Sequence, residues 1–294
     1  MKKHFLVTIS NDIDNLFGVQ FITSFFKEIS EHQMTLLHIN RLDCSDMKKT
    51  LEEMWCKPES ENKNHQHMAA KRSLDRAISL LQQNNMSIEQ MITKTVTERY
   101  GKVKDILTEG AKGLYDAIIL GRRASYTMQW VFERPGDATA QAMIKDSCFT
   151  LPLWICPEPD LKRKNVLLCL DGSENGRRAA DHIGYVLSAQ DQHTITLFHV
   201  ENSTSTLSSE EIFQQAEQIL EGHAIKRDRI NTQSSWGLSV PGTILSKLQK
   251  GEYAAVAVGL HGQSNNVLKN FNLAGGTTSK LINRVEKTSL WCCP

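Results

Sequence analysis

The sequence predicts an α/β protein made of two tandem parallel-sheet layers. Three observations predict it: an internal repeat, strands that read as apolar on both faces, and a helix-like segment after nearly every strand. HFLVTIS (4–10) lies over NVLLCLD (165–171) at an offset of 161, and MTLLHIN (34–40) over ITLFHVE (195–201) at the same offset. DILTEGAKGLYDAIILGRRA (105–124) then lies over TILSKLQKGEYAAVAVGLHG (243–262) at an offset of 138, and LPLWICP (151–157) resembles SLWCCP (289–294). Four matches in one order mark a duplicated unit. The polar, proline-containing stretch EPDLKRK (158–164) separates the copies, so we place one unit at 1–160 and the second at 161–294.

The elements follow in order within each unit. A β-branched, leucine-rich strand comes first. A helix follows, with Ala180, Ile183 and Leu187 on one face and Val19, Ile22 and Phe26 at the corresponding places. A second buried strand (TLLHI, TLFHV) leads to helical sequence, where Ser208 and Glu211 have capping-box spacing. A third strand ends before Gly101 or Gly237, a further helix precedes the fourth strand (AIIL, AVAV), and LWIC or LWCC closes the unit. The drop in offset gives the first unit 23 extra residues, placed at 43–70, where CKPESENKNHQH reads as a polar surface loop and KNHQHMAAKR (63–72) as a solvated helix start. Strands buried on both faces and alternating with helices form a parallel sheet covered on both sides, and right-handed crossovers make each unit a five-stranded, doubly wound, Rossmann-like layer. LPLWIC and SLWCC are too apolar for exposed edges, so the units are expected to pair through them as an internal pseudo-dimer. Further homo-oligomerisation is left open.

Composition excludes several functions. The 294 residues carry 34 Lys+Arg against 33 Asp+Glu, divided 20 to 21 in residues 1–160 and 14 to 12 in 161–294. Neither unit has the basic surplus of a nucleic-acid binder. No apolar run approaches the roughly 18 residues of a membrane span, and MKKHFLVTIS reads as a first strand rather than a secretory signal. Seven scattered cysteines without a CxxC pair suggest reduced thiols in a cytoplasmic protein. Vicinal Cys292 and Cys293 would point to opposite faces of a strand, and Trp154 and Trp291 read as core or interface anchors. His38 and His199 end buried strands and are expected to bond locally. His65-x-His67 offers too few ligands for a closed metal site.

In a doubly wound sheet, ligands bind outside the carboxyl ends of the strands at the switch in strand order. Two features of the second unit fall there. Asp171 follows the first strand, in LCLDGSENG (168–176). AVAVGLHGQSNNVLKNFNLAGGTTSK (255–280) has glycines directly after a strand, then Gly275-Gly276-Thr277-Thr278 at a helix start. Such a start offers free N–H groups and hydroxyls to phosphate, although neither a Walker A loop nor a GxGxxG fingerprint occurs. Asp171 could also simply cap the following helix together with Ser173.

Strand–DGSE, strand–HV and G-x-x-G before a Gly-Thr helix start together resemble the universal stress protein family, here as a tandem pair over nearly the whole chain. The resemblance implies an adenine nucleotide alpha hydrolase-like fold. It also implies ATP held by Asp171, by Val200 at the end of the second strand, and by Gly259, Gly262, Gly276, Thr277 and Thr278. The family pattern places nine residues between the glycine pair and the Gly-Ser or Gly-Thr; here thirteen, 263–275, precede Gly276. That spacing favours the alternative, a nucleotide-free interaction scaffold. An adenylyl-transfer enzyme would need a glycine-rich loop after the first strand, of which SENGRR (173–178) is a poor version. No motif places a general base or a nucleophile with a partner, so any ATP hydrolysis should be slow.

Charge sets the orientation. A carboxylate repels unshielded phosphates, so Asp171 should face the nucleoside end, or meet phosphate only through Mg²⁺. The first unit has Ser10 at the Asp171 position and Ala124 at the Gly262 position, and aligning Gly136 with Gly275 puts Asp137 at the Gly276 position. It reads as a copy that kept the scaffold and lost the ligand. Residues 263–275 are expected to be mobile without ligand and ordered with it.

Overall fold

The computed structural model describes residues 1–40, 60–121, 151–201, 207–260 and 277–294, with only the backbone for 60–67, 279 and 283. Apolar, β-branched sequence forms the central strands. Residues β1 (His4–Ile9) and β6 (Asn165–Leu170) share one burial pattern, and β2 (Gln33–Asn40) and β7 (Ile195–Glu201) are buried almost throughout. The strands β3 (Met91–Thr97) and β8 (Ile230–Trp236) are largely solvated, as edges allow. Then come β4 (Ala117–Gly121) and β9 (Tyr253–Gly259), and β5 (Leu153–Cys156) and β10 (Ser289–Cys293). The ten strands form one sheet in the order β3-β2-β1-β4-β5-β10-β9-β6-β7-β8. Every described pairing is parallel except β5 with β10, which is antiparallel. Within each half the chain runs outward from its first strand and then crosses to the other side of it. The switch points therefore lie between β1 and β4 and between β6 and β9.

The described helices are α1 (Phe17–Phe25), α2 (Ser60–Gln83), α3 (Lys102–Gly110), α4 (Glu174–Leu187), α5 (Ser209–Gly222), α6 (Val240–Gln249) and α7 (Thr277–Arg284). They cover both faces. One apolar cluster gathers α1, α2, α4 and α5 residues, and the other gathers residues of α3, α6 and α7. Ser208 and Glu211 form the expected capping box, with the Glu211 N–H donating to Ser208 Oγ at 3.2 Å.

One expectation is corrected. Within CKPESENKNHQH, residues 60–67 belong to α2 rather than to a loop, while 56–59 lie outside the described residues. That stretch of α2 has neither glycine nor proline, and polarity alone does not stop a helix whose face is solvated. Part of the first half's surplus is thus helix, since α2 has 24 residues where α5 has 14.

At the joint, Trp154 pairs with Trp291 across β5 and β10. Their indoles stack at 3.8 Å and 2°, both fully buried. The Trp154 Nε1–H donates to His182 Nε2 of α4 at 3.0 Å, and Trp291 Nε1–H to Ser289 Oγ at 3.1 Å. Further bonds cross between the halves: Tyr185 Oη–H to Asp116 Oδ1 at 3.0 Å, and Gln192 Nε2–H to the Phe25 carbonyl at 3.0 Å. Cys292 and Cys293 fall in the two different apolar clusters, on opposite faces of the sheet. Burial pushes the Cys292 thiol up to about 12, which leaves it protonated and unreactive.

The joint makes stability depend on pH. Burial lowers His182 to about 3, against an ordinary 6.5. The unfolded ring takes up a proton below about 6.5 and the folded ring only near 3, so stability is lost as pH falls through that window. His32, lowered by burial to about 4, acts in the same direction. Between pH 7 and pH 5, His182 alone should remove about 2 kcal/mol. Urea unfolding at both values checks this. His182→Gln, which keeps an acceptor for Trp154 but does not titrate, should recover about that much of the loss.

Candidate functional site

The chain leaves β6 at Leu170, whose carbonyl accepts a hydrogen bond from His199 Nδ1 at 2.7 Å and so ties the ends of β6 and β7 together. Asp171 follows, half-buried. Gly172, at φ +77°, supplies the left-handed turn that brings the chain into α4. Ser173 is the N-cap, its Oγ accepting from the Gly176 N–H at 3.1 Å. The Asp171 Oδ1 accepts from the Ser173 N–H at 3.0 Å. The cap itself is therefore Ser173, and Asp171 braces the turn ahead of it. The neighbouring Cys169 thiol is pushed far up, first by burial and then by the Asp171 charge.

Gly259 ends β9 where α4 begins. A Cβ at 259 would stand 2.9 Å from the carbonyl carbon and Cβ of Asn175, and 3.0 Å from the Gly176 nitrogen. A Cβ at Gly176 would in turn stand 3.4 Å from Asp171 Oδ1. Asp171, Gly176 and Gly259 thus adjoin one another at the switch between β6 and β9. Gly259, which the family resemblance places at the ligand, also allows the close approach of α4. Gly259→Ala should cost about 1–3 kcal/mol, because the clash is with backbone. Thermal unfolding measures it. Gly121→Ala should cost less, since among the described residues a Cβ there would meet only the Asn15 carbonyl oxygen, at 3.8 Å.

Thr278 of α7 donates its hydroxyl to the Gly259 carbonyl at 3.4 Å, a long bond that brings the start of α7 to the same place, with Thr277 half-buried beside it. The Leu260 N–H bonds the Cys293 carbonyl at 2.7 Å and fixes the chain just beyond β9. Val200 is buried at the end of β7 in the α3/α6/α7-side cluster. Its neighbour His199 is also buried, and among the described residues its Nε2 has no hydrogen-bond partner. With Nδ1 donating, a ring that carries one proton presents that atom as an acceptor. The structure therefore brings Asp171, Gly259 and Thr278 together, with Val200 one strand away. Gly262, Gly276 and the segment 263–275 lie outside the described residues, as do Ala124, Gly136 and Asp137.

The first half differs in a way sequence alignment missed. Its first helix starts late, at Phe17, so residues 10–16 form a loop where the second half has only Asp171–Ser173 between strand and helix. Ser10 Oγ accepts from the Asp12 N–H at 3.2 Å within this loop. At the carboxyl ends of β1, β2 and β4 lies a cavity of about 420 Å³. The run SNDIDN, rich in loop-forming Asn and Asp, was the available signal for it.

The geometry so far defines a doubly wound α/β protein with a switch point in each half. No protein-family model matches the chain, and no curated protein does. Solved structures do. A protein of Pseudomonas aeruginosa UCBPP-PA14 provisionally assigned as a universal stress protein aligns at TM-score 0.50 and 12% identity, over 99% of this chain and 92% of that one. A functionally unknown protein of Pseudomonas aeruginosa PAO1 aligns at TM-score 0.48 and 12% identity, over 99% and 92%. A universal stress protein in complex with cAMP aligns at TM-score 0.36 and 17% identity, over 44% of this chain and 95% of that chain. The chain has the universal stress protein fold, and the resemblance seen in its motifs holds at that level.

Proposed function

We propose that the chain is a tandem of two units, 1–160 and 161–294, related as a pseudo-dimer about the β5–β10 joint, and that the second binds an adenine nucleotide, ATP. The observation that carries this reading is the meeting of Asp171, Gly259 and Thr278 at the β6/β9 switch point. Asp171 takes the nucleoside end, where a carboxylate can accept from ribose hydroxyls without opposing phosphate charge. Val200 offers an apolar contact to the base. Buried His199, one residue earlier, has no partner for Nε2 among the described residues, and a ligand hydroxyl or amino group could satisfy that atom, which fits a nucleoside. Thr277 and Thr278 open α7 and suit phosphate, which would bring Mg²⁺ with it. When bound, ATP supplies a signal rather than a reaction. We read the role as a cytoplasmic response to stress or energy status, with ATP hydrolysis slow at most.

The second reading, a nucleotide-free scaffold of the same fold, is favoured by the thirteen-residue spacing at 263–275. Calorimetric titration of the full chain with MgATP separates the two. One saturable site per chain supports the nucleotide reading. Absence of heat and of any thermal shift at millimolar MgATP would establish the scaffold reading.

A further inference from the structure

The first-half cavity has its own chemistry. Its volume, about 420 Å³, lies in the roughly 300–1,000 Å³ range of small-molecule pockets. Ile9, Leu37, Ile39 and Ile106 give it apolar walls, all of them buried side chains. Ser10 adds a neutral hydroxyl. His38 also lines it, but its Nδ1–H is committed to the Ile9 carbonyl at 2.9 Å. Among the described lining residues the single formal charge is Lys102, the exposed first residue of α3. Asp12, in the adjoining loop, is not among the lining residues, and within the loop its Oδ1 accepts from the Asp14 N–H at 3.2 Å and its Oδ2 from Asn15 Nδ2 at 2.6 Å.

The second half has the opposite charge pattern. Asp171 replaces Ser10, and Val240, the first residue of α6, replaces Lys102. The first site is thus lined by a cation and no carboxylate at the Ser10 position, whereas the second has a carboxylate there and no cation at the Val240 position, so the two sites favour ligands of different charge. The late start of α1 also opens the first site, while α4 and Gly259 close tightly on each other in the second.

We propose that the first-half cavity binds a small organic anion with an apolar body, the body among Ile9, Leu37, Ile39 and Ile106 and the anionic group at Lys102. The first unit has then exchanged its ligand class rather than lost a ligand. This site is independent of the nucleotide reading for the second half.

The test uses a charge-matched pair of probes, 2-naphthoate and 2-naphthylmethylammonium, titrated calorimetrically into the full chain. The carboxylate should bind once per chain, at least tenfold more tightly than the amine. Lys102→Glu, at an exposed position, should weaken 2-naphthoate at least tenfold and reverse the preference. Ser10→Asp should weaken it too, and saturating MgATP should leave it unchanged. Equal affinity for both probes, indifference to Lys102→Glu and Ser10→Asp, displacement by MgATP, or no binding at millimolar 2-naphthoate would each overturn the proposal. Circular dichroism shows that the variants are folded, and Ser10→Ala, which adds no charge, should retain binding if Ser10→Asp acts through its carboxylate.

Discussion

Trp154→Ala should destabilise the protein by about 3–5 kcal/mol, among the largest effects of any single substitution in it. The indole has no exposed surface and stacks directly on Trp291 at the antiparallel pairing of β5 with β10 that joins the halves. Phe5 packs at 5.2 Å and Phe21 at 6.1 Å, so the void left behind is walled by rigid rings from β1 and α1 that cannot readily close it. Truncation also strands His182 Nε2, whose donor is Trp154. Since a domain of this kind is stable by only about 5–15 kcal/mol, the loss should be plain in a urea melt. Trp154→Phe, which keeps a ring but not the N–H, should cost less. A cost below about 1 kcal/mol for Trp154→Ala would mean that the stack contributes little to holding the joint.

Asp171→Ala should weaken MgATP binding about 10- to 100-fold, the scale of losing one or two charge-assisted hydrogen bonds. The effect on folding should be smaller, because the N-cap of α4 is Ser173 and remains in place. Ser173→Ala gives the reverse pattern, a loss of about 1 kcal/mol in stability through the missing cap. Measuring affinity and melting temperature together for the two variants separates a ligand role from a brace in the turn. Equal losses of stability with unchanged affinity would reduce Asp171 to the latter.

Much of the fold was legible because duplication imposed a check on each element. HFLVTI alone could be helix or strand, but NVLLCL in the same place, with a helix-like segment after both, fixes it as the inner strand of a parallel sheet. That β5 and β10 meet was also legible, since LWIC and LWCC are too apolar to be edges. Less legible was anything set by the length of a turn. The delay in α1 hides between two well-matched strands, so aligning strands makes Ser10 look like a mere loss, whereas the backbone around it has been rebuilt into a cavity. Gly259 shows a different limit. A glycine after a strand reads as room for a ligand, but the close approach of Asn175 of α4 needs that room as well, a tertiary contact invisible in local sequence. The helix start read at 63–72 falls only three residues short of Ser60, and the loop reading of 60–67 overlapped it because solvated helix and polar loop share a composition.

The most direct test of the central claim is the nucleotide content of the purified protein. The native chain, Asp171→Ala and Ser10→Ala are each denatured, and the released small molecules are quantified on a nucleotide-calibrated column. The account predicts adenine nucleotide near one per chain, lost with Asp171→Ala and kept with Ser10→Ala. Nucleotide retained by Asp171→Ala but lost from Ser10→Ala would place the site in the wrong half and contradict it.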